Sequence, residues 1–349
     1  MQLLANQEAS SPAPRGRSIQ ELCRHHSFEE LAYLAWHGDV PTRDQILEQN
    51  RVERAQRALH PSVVAAITRH PAAAYPMDVL QTAVRVLGAT DPAGRDISPA
   101  AVHAKTLRLF AALPSVIALD QRRRRGLGPV APRADLGYAA NFLYMTFGKL
   151  PEPQIIAAFE KSLILYGEHG IDGSTRGTRA IPFAPADVYS AVATVIGELR
   201  GPLSGGPSEA VIEMLNEIAF PYNAGPWLEE ATVDGRTIHG FGHLVPDGSD
   251  AGVPVMRTAL GMIASLRRGQ HVIEVYEALA TAMFEATGLR PNLDYPASPA
   301  YQLIGFDPET FSQILVAARL PSWTAHIARR LVPRHFSLPA AAASRLRPR

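Results

Sequence analysis

Four side chains in the second half of the chain, His169, Ser204, His243 and Asp294, are of the types that carry general acid–base or nucleophilic chemistry. His169 follows an apolar run and precedes Gly170, which places it at a helix end. There it either satisfies terminal carbonyls or points at a ligand. Asp172, Ser174 and Thr175 come next and can bind polar ligand atoms or cap a helix. Arg176 and Arg179 are candidates for a carboxylate or phosphate, which a guanidinium holds bidentately. Ser204 sits in Gly201-Pro202-Leu203-Ser204-Gly205-Gly206, a bend with little side-chain bulk that can bring a ligand close to backbone N–H groups. The bend lacks the Gly-Lys-Ser/Thr ending of a P-loop and the Gly-x-Ser-x-Gly pattern of a hydrolase elbow. A Ser204–His243–Asp294 triad is possible by residue type, but nothing in the context sets the strand-to-helix strain it needs. His239 and His243 are four apart, yet the glycines between them oppose a helix, so no metal site is expected. Asp294 lies between Leu293 and Tyr295, an apolar setting that suits a general base working near neutral pH. Its other reading is a turn aspartate ahead of Pro296.

Positioning these groups falls to long amphipathic segments. Residues 161–218 read as an apolar helix, a polar loop, a second helix, a Gly-rich turn and a third helix. Upstream, Ser27 with Glu30 forms a capping-box pattern, Pro41-Thr42 introduces a helix toward Leu59, and Pro76 starts another. Further helical patterns fill residues 100–118, Tyr138 to Phe147 and Pro151 to Tyr166. Downstream they fill Val255 to Leu266, Gln270 to Thr287 and Phe311 to Arg329, the last with a break expected near Pro321. Strand alternation is scarce. The expected class is mainly α, with about fifteen helices.

The chain has 349 residues, with 34 Lys plus Arg against 33 Asp plus Glu. That balance argues against a nucleic-acid binder, which needs a concentrated basic footprint. The run Arg122 to Arg125 is the exception and reads as a solvated helix end or a patch for an anionic ligand. Cys23 stands alone in a segment that looks like an exposed helix edge, so no intrachain disulfide is possible and a reducing compartment is expected. MQLLANQEASSPAPRG lacks the basic and apolar regions of a signal peptide. No run reaches the roughly 18 to 20 apolar residues of a membrane span. A cytoplasmic protein with no membrane partner is expected.

Several segments, in order, carry a resemblance: SFEELAYLAWHGDVPT, YPMDVLQTAVRVLGATDP, LGYAANFLYMTFG, ILYGEHGIDGST, DVYSAVATVIGELRGPLSGG, EAVIEML, GFGH, TGLRPNLDYPASPAYQLIGF and SWTAHI. From about Arg15 to Phe336 the chain resembles the citrate synthase family, and within it most the 2-methylcitrate synthases. The resemblance implies a two-domain helical homodimer. Residues 1–208 and 306–349 would form the large domain and 209–305 a small one whose closure assembles the site. It implies condensation of an acyl-CoA with oxaloacetate, then thioester hydrolysis, with no tightly bound cofactor and a coenzyme A thioester as co-substrate. Asp294 falls at the position of the proton-removing aspartate. His243 falls at that of the histidine on the oxaloacetate carbonyl, and His169 at that of a further oxaloacetate contact. Arg319 falls at a family arginine position, while Arg334, or else Arg330, stands near one supplied across the dimer.

The pattern is broken at named places. Ser204 replaces the enolate-stabilising histidine, and Gly252 replaces a carboxylate-binding arginine. Leu244-Val245-Pro246 replaces Arg-Val-Tyr, Asp172 an asparagine, and Ser298 a glycine. Three readings follow. One is a diverged acyl-CoA condensing enzyme with Asp294 as base and an altered acceptor, a carboxylate among the candidates. Another is a repurposed or non-catalytic acyl-ligand-binding homologue. The third is an ordinary citrate or 2-methylcitrate synthase.

Overall fold

Helix starts follow from short polar or proline signals. Ser27 accepts from the Glu30 N–H while the Glu30 carboxylate accepts from the Ser27 N–H, closing the expected capping box. Thr42 and Gln45 repeat the device. Pro61, Pro76 and Pro99 each stand at the start of a helix, where the missing N–H costs no intrahelical bond. Gly38 and Gly148 end their helices in the left-handed region, at φ 81° and 75°.

The computed structural model describes residues 19–168, 187–200, 207–242 and 251–331. These form fifteen α-helices among the described residues. The first nine are α1 (Ile19–His25), α2 (Phe28–His37), α3 (Arg43–Ala55), α4 (Pro61–Thr68), α5 (Pro76–Ala89), α6 (Pro99–Arg124), α7 (Tyr138–Phe147), α8 (Pro153–Glu168) and α9 (Val188–Glu198). There follow α10 (Pro207–Ile218), α11 (Ala224–Val233), α12 (Val253–Arg267), α13 (Gln270–Thr287), α14 (Asp294–Ile304) and α15 (Phe311–Leu331). The only pairing of extended backbone among the described residues is an isolated antiparallel bridge, Phe241 with Pro291. The mainly α expectation holds.

Two long helices organise the first group. α6 touches α3, α4, α5, α7 and α9, and α15 packs on α2, α5, α6, α8 and α9. The break expected at Pro321 does not occur: α15 runs through it. Proline removes one backbone bond, but Leu320, Pro321 and Trp323 are buried on the flanking turns. The Thr324 hydroxyl also takes up the Leu320 and Pro321 carbonyls.

The arginine run is not a freely solvated helix end: each guanidinium is engaged by protein acceptors, although Arg125 stays partly exposed. Arg122 donates to the Gly128 and Thr146 carbonyls, and Arg123 to Asp120 and to the carbonyls of His70 and Pro71. Arg124 reaches Glu309 and Thr310, and Arg125 reaches Asp307 and the Gly305 carbonyl. The run clamps the end of α6 to three surrounding loops and to the end of α7. Cys23 is likewise not an exposed edge; it is buried in α1, which packs on α8. α6 does have the length and composition of a membrane-crossing segment, against the expectation from sequence, but 83% of that window is buried inside the fold.

Helices α10 to α14 pack mainly among themselves, α14 on α12 and α10, and α13 on α11. They meet the first group mostly through α8 and α15. Arg267 on α12 grips Glu152, just before α8, with two bonds of 3.0 and 2.9 Å. Along the same seam α14 runs antiparallel to α8, with Tyr301 opposite Ser162 and Asp294 opposite Tyr166.

Candidate functional site

Asp294 opens α14, so the turn-aspartate reading gives way to a helix-initiating one. Its backbone N–H donates to the Asn292 side-chain oxygen at 3.0 Å, an Asx contact that starts the helix. Its carboxylate Oδ1 accepts two hydroxyls, from Tyr166 at 2.7 Å and from Ser208 at 2.8 Å. Oδ2 receives no hydrogen bond from the described residues. The apolar setting expected from Leu293 and Tyr295 is real, since both are buried, but the carboxylate itself meets hydroxyls. Position at a helix N-terminus adds a favourable dipole for its negative charge.

Tyr166 lies in the last turn of α8 and Ser208 in the first turn of α10, both buried. Burial, and then the neighbouring Asp294 charge, push the Tyr166 phenol well above its ordinary value. It therefore remains a donor throughout the working pH range. Arg319 on α15 places its guanidinium 6.0 Å from the centre of the Tyr166 ring. Burial pushes Arg319 down to about 10, which leaves it a cation at neutral pH. The Ser298 hydroxyl donates back to the Asp294 carbonyl at 2.7 Å, so the serine is accommodated within α14.

The segment leading toward His243 is held beside Asp294 by backbone. Gly242 N–H donates to the Arg290 carbonyl and Asn292 N–H to the Gly240 carbonyl, at 3.1 and 2.9 Å. Gly240 has φ 85°, and a Cβ there would lie 2.8 Å from a Tyr295 ring carbon. Its glycine is therefore required twice, by conformation and by close approach. Phe241 packs tilted against Tyr295, ring centres 4.5 Å apart, and the Tyr295 hydroxyl donates to the Tyr276 carbonyl. Residues 239–242 are therefore not helical, with both Gly240 and Gly242 at positive φ. Among the described residues no three His, Cys, Asp or Glu side chains gather as a metal site.

Of the residues singled out in the sequence, His239, Gly252, Asp294, Ser298, Arg319 and Arg330 fall in the described structure, and Asp294 and Arg319 both neighbour Tyr166. His169, Asp172, Arg176, Arg179, Ser204, His243 and Arg334 lie outside the described residues. Gly252 caps the start of α12 at φ −79°, a conformation open to any residue, so backbone geometry does not require glycine there. Tyr166 and Ser208 were not singled out by sequence reasoning. Tyr166 is hidden in an apolar run, and Ser208 reads as one more polar residue in a helix's first turn. Their signal is proximity: three residues before His169 and four after Ser204.

A family model described as "Citrate synthase, C-terminal domain" matches residues 5–336. The 2-methylcitrate synthase of Mycobacterium tuberculosis is 44% identical over 320 residues, covering 92% of this chain and 81% of the relative. A citrate synthase of Mycolicibacterium smegmatis is also 44% identical, over 321 residues, with 92% and 85% covered. Among solved structures, citrate synthase from Pyrobaculum aerophilum superposes with a TM-score of 0.85 at 29% identity, covering 97% of this chain and 89% of that one.

Proposed function

The chain belongs to the citrate synthase family of carbon–carbon bond-forming acyltransferases, and we propose that Asp294 is its base, acting on a short acyl-CoA. In this reading Oδ2 takes the α proton of the thioester. The electron pair left behind forms an enolate, which attacks the carbonyl carbon of an acceptor, and the new alkoxide is protonated. Water then cleaves the thioester and releases coenzyme A. The acyl-CoA is a co-substrate and not a resident group.

The observation that carries the reading is the carboxylate of Asp294, held through Oδ1 at the point where the ends of α8 and α10 and the 240–292 backbone pairing meet. The sequence positions of His169, Ser204 and His243 each follow or precede one of these anchors by a few residues. That supports one shared site closed by movement of residues 209–305 against the rest, within a homodimer.

For the acceptor, Ser204 and Gly252 favour a molecule other than oxaloacetate, because the family's oxyanion donor and one carboxylate clamp are replaced. Similarity to named 2-methylcitrate synthases favours oxaloacetate as a second reading, with propionyl-CoA as donor. The test is α-proton exchange of acetyl-CoA and propionyl-CoA in deuterated water, then coenzyme A release across a panel of oxo acids including oxaloacetate. Exchange abolished by Asp294→Asn is expected. No exchange with any acyl-CoA would sink the base assignment, and rapid release with oxaloacetate would select the second acceptor reading.

A further inference from the structure

We propose that Tyr166 and Ser208 are positioning residues for Asp294: their hydroxyls converge on Oδ1, set the carboxylate plane and leave Oδ2 to receive the substrate proton. The inference rests on the reading of Asp294 as the base. At 2.7 and 2.8 Å both contacts are full hydrogen bonds. A carboxylate held by one donor keeps freedom to swing about its side-chain torsions. Two donors from different helices, α8 and α10, remove that freedom while occupying a single oxygen. Neither donor is loosely held, since Tyr166 is 2% exposed and Ser208 7% exposed.

The arrangement also spans the two helical groups. Tyr166 comes from the group built on α6 and α15, whereas Ser208 and Asp294 come from the group α10 to α14. The orientation of the base therefore depends on the α8–α14 seam being formed. A hydroxyl that only filled space would not need to share its acceptor oxygen with a second donor.

The experiment compares wild type with Tyr166→Phe, Ser208→Ala, the double variant and Ser208→Thr, using propionyl-CoA exchange in deuterated water together with crystal structures. Each single loss should lower the maximal exchange rate about tenfold, and the double loss about a hundredfold. The KM for propionyl-CoA should stay unchanged, and Ser208→Thr should recover most of the rate. A purely structural contribution would lower the amount of folded enzyme without that split or that rescue. In the double variant the Asp294 carboxylate should turn or split into more than one orientation. If the double variant does not fold, the two single variants carry the same comparison. A single, unchanged orientation overturns the proposal whatever the rates. Wild type that fails to exchange defeats the base assignment instead, and the orientation of Asp294 in the variants still decides the clamp.

Discussion

Tyr301 donates its hydroxyl to Ser162 Oγ at 3.0 Å, one turn back along α8 and two turns along α14 from the bond between Tyr166 and Asp294. Two tyrosine hydroxyls thus key the same pair of antiparallel helices. The Ser162 hydroxyl in turn donates to the Phe159 carbonyl at 2.6 Å, so it accepts from one side and donates to the other. The two ends of the Tyr301–Ser162 contact are consequently unequal. Tyr301→Phe leaves an unused lone pair on Ser162 and should cost about 0.5–1.5 kcal/mol, whereas Ser162→Ala strands a buried phenol donor and should cost about 1–3 kcal/mol. Urea unfolding of both variants checks the order. Equal costs would mean that the hydroxyl pair does not key the seam.

Gly252 offers a direct test of the acceptor. Its φ of −79° admits any side chain, so Gly252→Arg introduces a cation without backbone strain. With Ser204→His in the same chain, a carboxylate clamp and an oxyanion donor return together. Because an oxyanion donor is worth about 10²–10³ in turnover, condensation with oxaloacetate should rise about a hundredfold or more in the double variant. Coenzyme A release measures it. An unchanged rate would place the block elsewhere, with Asp172 the next substitution to reverse.

Glu160 carries a pH dependence of stability. Burial first, and then the Glu29 charge, raise it from an ordinary 4.5 to about 7, although the Phe28 N–H donates to it at 3.3 Å. The folded state therefore binds a proton that the unfolded chain releases between about pH 4.5 and 7. Stability from this group is present below pH 4.5 and lost as pH rises through about 7. Glu160→Gln, which mimics the protonated form, should match wild type near pH 5 and exceed it near pH 8. The gain is at most about 3 kcal/mol, and less where solvent reaches the side chain. Chemical unfolding across this pH range decides it, and a variant equal to wild type near pH 8 would contradict the shift.

Helix positions were legible because their signals are local. Capping pairs such as Ser27–Glu30 act within one turn, and the apolar spacing of Tyr138 to Phe147 needs no partner to be recognised. Pro321 and Arg122 to Arg125 misled because their surroundings are distant in sequence. The buried flanks of α15 outweigh one missing backbone bond, and the acceptors for Arg124 lie about 185 residues away. Asp294 was legible as a candidate base through its resemblance to a family motif. Its hydroxyl partners were not, since Tyr166 and Ser208 come from helices 128 and 86 residues away in sequence.

Gly240 and Gly242 separate conformational from steric demand within one short segment. Both have positive φ, 85° and 80°, which costs an L-residue about 1–2 kcal/mol. At Gly242 a Cβ meets nothing within 4 Å, so Gly242→Ala should cost only that amount. At Gly240 it would also come within 2.8 Å of the Tyr295 ring and 3.0 Å of Val211. The ring cannot yield freely, because Phe241 and Tyr276 each lie 4.5 Å from it and its hydroxyl is bonded to the Tyr276 carbonyl. Overpacking of this kind adds about 1–3 kcal/mol. Tyr295 is the residue after Asp294, so relief of the clash by moving Tyr295 also moves Asp294, the proposed base. Gly240→Ala should therefore lose both stability and acyl-CoA exchange, while Gly242→Ala should lose a little stability and keep its exchange rate far better. Unfolding and deuterium exchange measured on the same two preparations check this, and equal losses in both would refute the steric account of Gly240.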